Sequence, residues 1–84
     1  KEVVMYNTNG VPILINEKGQ SAVKARKEYN RGVPEIVYVM DARLAQYAPN
    51  IRPSRIENGY AVYSQKDFYH FNRVVGGFIQ PYGD

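Results

Sequence analysis

The groups in this chain with chemistry to offer are one histidine, a scatter of carboxylates and a set of basic residues. His70 sits between Tyr69 and Phe71. As a general base or metal ligand it would need partners. Asp67 and Lys66 lie three and four residues before it, within reach on a helix, but the sequence holds no second histidine and no cysteine. The structural reading of His70 is favoured. The carboxylates Glu17, Glu28, Glu35, Asp41, Glu57 and Asp67 are spread singly, and Asp41 and Asp67 stand where helix caps are expected. Ser64 has no Gly-x-Ser-x-Gly surround. Gly76-Gly77 follow a predicted helix, whereas a phosphate loop places its glycines before one. Met5 and Met40 offer soft donors for Cu(I), yet strand methionines more often fill gaps in a core. The sequence therefore names no catalytic residue, no cofactor and no metal ligand.

The basic residues make the better case for binding. Lys24, Lys27 and Arg31 fall on one face of a predicted helix, with Arg52 and Arg55 in a later loop, and together they are the candidate contact for an anion or nucleic acid. Tyr60 and Tyr63 would supply stacking platforms of the kind single-strand binders use. Against this, Glu28 and Glu35 dilute the first cluster, Glu57 flanks the second, and the aromatic signature of an RNA-binding sheet is absent. A solvated face is favoured. Tyrosine occurs eight times, with no tryptophan. Its apolar ring and polar tip suit interfaces, so Tyr29, Tyr60 and Tyr63 are the expected partner surface.

These side chains are carried by a phrase that occurs twice. An Asn-Gly pair, Asn9-Gly10 or Asn58-Gly59, is followed by a short apolar run, a capping residue and a helix-like stretch. Asn-Gly supplies the positive φ angles of tight hairpins. Val3–Tyr6 and Val11–Ile15 read as the first hairpin, with Pro12 at the start of its strand or on an unpaired edge. Asn16 caps, and Gln20–Tyr29 reads as a helix with Ala22, Ala25 and Tyr29 in a thin stripe. Gly32 is its left-handed cap and Pro34 its stop. Ile36–Met40 is apolar on both faces and predicts a central strand. Asp41 caps a short helix, Ala42–Ala48, and Asn50–Arg55 is an exposed loop. Ile56-Glu57 and Tyr60–Tyr63 form the second hairpin. Ser64 and Asp67 begin a helix whose Phe68, Phe71 and Val75 share one face. Gly76-Gly77 end it, and Phe78–Gln80 predicts a last short strand.

Composition agrees with one domain over residues 1–84: a ββα unit at about 2–31, a connecting strand and short helix at 35–49, and a ββα-β unit at about 55–80. Without cysteine, stability rests on the core or on a partner that covers apolar surface; thiolate catalysis is excluded. The net charge of +3 is too mild to single out nucleic acid as the partner. No run approaches the about 20 apolar residues of a membrane span. The chain is read as soluble, with cytoplasmic and secreted or periplasmic placement both open.

The passages Asp41-Ala42 with Ala45-Gln46-Tyr47, and Asn58-Gly59-Tyr60 through Ser64, Phe71 and Gly76-Gly77-Phe78, resemble the NosL-like proteins. These are periplasmic accessory lipoproteins linked to copper delivery. The resemblance implies a tandem ββα fold and an accessory role. It implies no copper ligand here, because the family's metal site uses an N-terminal Cys/Met motif that this sequence lacks.

The expected fold is α+β: two ββα units forming one mixed, mostly antiparallel sheet with helices packed on one face. The expected function is a non-enzymatic protein-interaction module, a small accessory or structural subunit that binds another protein or itself. The alternatives are a nucleic-acid-binding or regulatory protein using the basic helix face, and a NosL-like accessory protein without its metal site.

Overall fold

The structure is a computed structural model that describes residues 3–15, 23–77 and 81–83. Strands β1 (Val3–Tyr6) and β2 (Pro12–Ile15) form an antiparallel hairpin, with Pro12 as the first residue of its strand. Next come β3 (Lys24–Asn30), β4 (Val33–Asp41) and a 3-10 helix (Ala42–Tyr47). They are followed by β5 (Arg55–Glu57), β6 (Tyr60–Ser64), helix α1 (Gln65–Val74) and β7 (Tyr82–Gly83). The second sheet has the order β5-β6-β4-β3-β7, antiparallel throughout except for the two-residue parallel pairing of β7 with β3. An α+β fold with a helix packed on antiparallel strands is thus present, and β4 is central as its unbroken apolar run predicts.

The helix expected over Gln20–Tyr29 is corrected: Lys24–Asn30 is strand β3, paired with β4 along its whole length. Arg31 and Gly32, with φ of 54° and 80°, are the two left-handed residues of the turn that joins them. Gly32 is thus a turn residue and not the expected helix cap, since a left-handed residue serves either role. Two ββα units are therefore not confirmed. The second is present as β5-β6-α1, and between the first hairpin and β3 the segment 16–22, including the Asn16 cap, lies outside the described residues. The strand expected at Phe78–Gln80 lies outside them too.

Register assigns every strand residue to a face. On the face that carries α1, Tyr38 pairs with Tyr63 and Met40 with Ala61. Tyr38 stacks on Phe68 of α1, with ring centroids 4.3 Å apart and 19° between planes. Tyr63 meets Phe71 at 5.4 Å. Leu44 of the 3-10 helix, Val75, Val11 and Val23 complete this core. Met5 is exposed, contrary to its expected core role, whereas Met40 is fully buried. Both caps read from the sequence form: Asp41 accepts from the Arg43 amide and Ser64 Oγ from the Asp67 amide.

The first hairpin docks on the C-terminal end of α1. Helix ends leave carbonyls without intrahelical partners. Here Asn7 Nδ2 donates to Val75 O at 3.0 Å and Gly77 O at 2.9 Å, while Asn7 Oδ1 accepts from the Asn9 and Val11 amides. Asn9 Nδ2 also donates to Val75 O. The Asn9 side chain occupies the space a Cβ on Gly76 would need, 2.0 Å away, and Gly76 has a φ of 93°. Gly76→Ala should therefore cost about 1–2 kcal/mol from the backbone alone, plus a steric penalty. Chemical denaturation checks this. Asn9→Ala in the same chain should recover the steric part and leave the backbone part.

Candidate functional site

Strand period separates residues that a helix would have grouped. Lys24 lies opposite Val39 and Lys27 opposite Ile36, so the two lysines project from opposite faces of β3. Arg31 is at the turn and Arg52 in the loop before β5. The basic helix face expected from Lys24, Lys27 and Arg31 is corrected accordingly: these cations are not gathered. Arg55 is not free either, because it is held by two glutamates.

On the open face of the sheet, away from α1, Arg26 and Glu28 of β3 meet Arg55 and Glu57 of β5 in a closed ring. Arg26 pairs with Glu28 and with Glu57, the latter at 3.3 Å. Arg55 pairs with Glu28 and, through Nε at 2.6 Å, with Glu57. Strands β4 and β6 lie between the two contributing strands, three inter-strand steps or about 14 Å across. Long arginine side chains make that span feasible. Register sets Arg26 beside Val37 and Arg55 beside Val62. Both valines are buried although no described helix covers this face, and Val62 is 0 % exposed. The ring carries two charges of each sign, so it roofs apolar surface without creating an anion site. Its geometry holds the Glu28 and Glu57 carboxyls below their ordinary range, chiefly through the hydrogen bonds from Arg55.

The expected partner tyrosines divide. Tyr29 and Tyr60 are exposed, at 68 % and 51 %. Tyr63 is corrected: it is a core residue with 0 % exposure. Three residues along a strand is an odd number, so Tyr60 and Tyr63 must face opposite ways. Tyr63 Oη is also the one buried side-chain polar atom without a hydrogen-bond partner among the described residues. Burial pushes its hydroxyl pKa up, with the Asp67 charge adding to the effect.

Sequence reasoning missed the outward side of α1. Lys66, Tyr69, His70 and Arg73 recur at i, i+3, i+4 and i+7, and with Asp67 they line one shallow depression. Tyr69 is anchored there: its hydroxyl contacts Tyr38 Oη at 3.3 Å and accepts from Gln65 Nε2 at 3.3 Å. The contact with Tyr38 is the main reason the Tyr69 hydroxyl titrates lower than usual, while burial is the main reason Tyr38 titrates higher. The signal that would have found this stripe was available, since the face opposite Phe68, Phe71 and Val75 must carry it.

Among the described residues no group of three or more potential ligands gathers to hold a metal ion. No described helix is long and apolar enough to cross a membrane.

Two outcomes follow from these contacts. Tyr63→Phe removes an unsatisfied hydroxyl from the core, so unfolding experiments should show a gain of roughly 1 kcal/mol. For the ring, the glutamates bind protons more weakly folded than unfolded. Their contribution is present above the ordinary carboxylate value of 4.5 and drains away as pH falls through the depressed folded values. The stability difference between the native chain and the Glu28→Gln/Glu57→Gln variant should therefore be widest near neutral pH and close in acid. A difference that stays constant across that range would show that the ring does not act this way.

Compared with known proteins, the chain significantly matches no protein-family profile, no curated protein and no solved structure.

Proposed function

We propose that this chain is a non-enzymatic interaction module, an accessory or structural subunit that engages another protein chain. One observation carries the reading: the β3–β4 hairpin runs past the end of the sheet. Strand β6 pairs with β4 only from Val37 to Asp41. The four pairs Lys27–Ile36, Glu28–Glu35, Tyr29–Pro34 and Asn30–Val33 continue as a two-stranded arm with no third strand beside β4 among the described residues. A two-stranded hairpin is marginal in water on its own. This one ends in apolar groups on both faces, Tyr29 with Pro34 on one and Val33, 63 % exposed, on the other.

Its sequence suits an exposed arm. Asn30 and Val33 close a two-residue turn, so their pair is the hydrogen-bonded kind and the next pair, Tyr29–Pro34, is not. Pro34 therefore gives up no ladder bond. A shallow groove between the base of the arm and the start of α1, lined by Pro34, Ile36, Gln65 and Lys66 among others, adds surface for a partner.

The test is association. Sedimentation velocity over a wide concentration range and affinity capture from the native extract should reveal self-association or a specific partner. The Tyr29→Ser/Val33→Ser variant should lose it while its thermal midpoint changes little, since neither side chain is in the core. A chain that stays monomeric and captures nothing overturns the reading.

A further inference from the structure

We infer that the outward face of α1 is a binding site for single-stranded nucleic acid, with Lys66 and Arg73 on the phosphate backbone and Tyr69 as a stacking platform for one base. This goes beyond the protein-interaction reading and uses a surface separate from the Tyr29 and Val33 tip of the arm, although Lys66 also borders the groove at the arm's base.

The first support is where the positive charge remains once internal pairing is complete. The ring uses Arg26 and Arg55 against Glu28 and Glu57, and Arg43 is paired with Asp41. Among the described residues this leaves six cations without an ion pair, Lys24, Lys27, Arg31, Arg52, Lys66 and Arg73, against two carboxylates, Glu35 and Asp67. The unpaired charge among the described residues is thus mostly positive. Four of the six are dispersed over two sheet faces, a turn and a loop. Lys66 and Arg73 alone share one face of one regular element, and His70 stands between them.

The second support is the ring between the two cations. Seven residues of helix place Lys66 and Arg73 about 10 Å apart along the axis, with Tyr69 between. Half of the Tyr69 surface is open to solvent. Its hydroxyl is held by Tyr38 and Gln65, and its ring packs against Tyr38 and Phe68 at centroid distances of 5.9 and 6.1 Å. A ring fixed before binding loses little freedom when a base stacks on it. An acidic polypeptide would use the two cations and leave the aromatic surface idle. A nucleic-acid strand uses both, because every base has a π face and every link a phosphate.

Fluorescence anisotropy with a labelled oligothymidylate of about 12 nucleotides tests this, set beside a labelled oligoglutamate of equal charge. The oligonucleotide should bind at about 50 mM salt and weaken steeply towards 200 mM. Lys66→Gln with Arg73→Gln should flatten the slope of log affinity against log salt by about 1.4, or 0.7 for each phosphate contact removed. Tyr69→Leu keeps apolar bulk against Tyr38 but removes the π face. It should lower affinity about 5- to 150-fold and leave the salt slope unchanged. Lys24→Gln should do little. Circular dichroism and thermal midpoints show that each variant is folded. Absence of binding at low salt, or indifference to the α1 substitutions, overturns the inference. So does equal affinity for oligoglutamate with no effect of Tyr69→Leu, which marks an acidic-polypeptide surface instead. Association through the arm is measured separately, so either reading can fail alone.

Discussion

The side-chain amide of Asn7 joins the two halves of this molecule. Its nitrogen serves carbonyls left over at the end of α1, and its oxygen serves amides of its own hairpin loop. Both needs are obligatory, because an unpaired backbone group away from water is costly. One residue meeting both ties the β1–β2 hairpin to the helix that packs on the other sheet. Gly76 and Gly77 belong to the same arrangement. Both turn the chain away from the helix axis and Gly76 leaves room for Asn9, so the first Asn-Gly loop and the double glycine are two sides of one joint.

The two faces of the larger sheet are closed by different physics. On one face, aromatic stacking between Tyr38 and Phe68 and the tilted contact of Tyr63 with Phe71 bury apolar surface against a helix. On the other, opposite charges spread over two valines and satisfy one another above them.

Much of this was legible in the sequence. Phe68, Phe71 and Val75 marked α1, Ser64 and Asp41 marked caps, and the apolar run Ile36–Met40 marked the central strand. The segment Lys24–Asn30 was not, because Lys, Ala, Arg and Glu all favour helices and a short polar strand has no apolar alternation to announce itself. Pairing with β4 decided the matter, and tertiary context overrides propensity of that size. The same error misplaced the candidate site. Read as a helix, Lys24, Lys27 and Arg31 converge; read as a strand and a turn, they scatter. Tyr63 was misassigned for a related reason, since tyrosine content says nothing about direction and only the two-residue period does.

The charged ring also constrains how this sequence can drift. Each arginine contacts both glutamates and each glutamate both arginines, so a change at any one position leaves an imbalance at the other three. Reversing a single sign would set three like charges over Val37 and Val62, and a small residue would uncover them. Although the four positions come from strands with two others between them and stand up to 31 residues apart in the chain, they form a single charge-balanced unit.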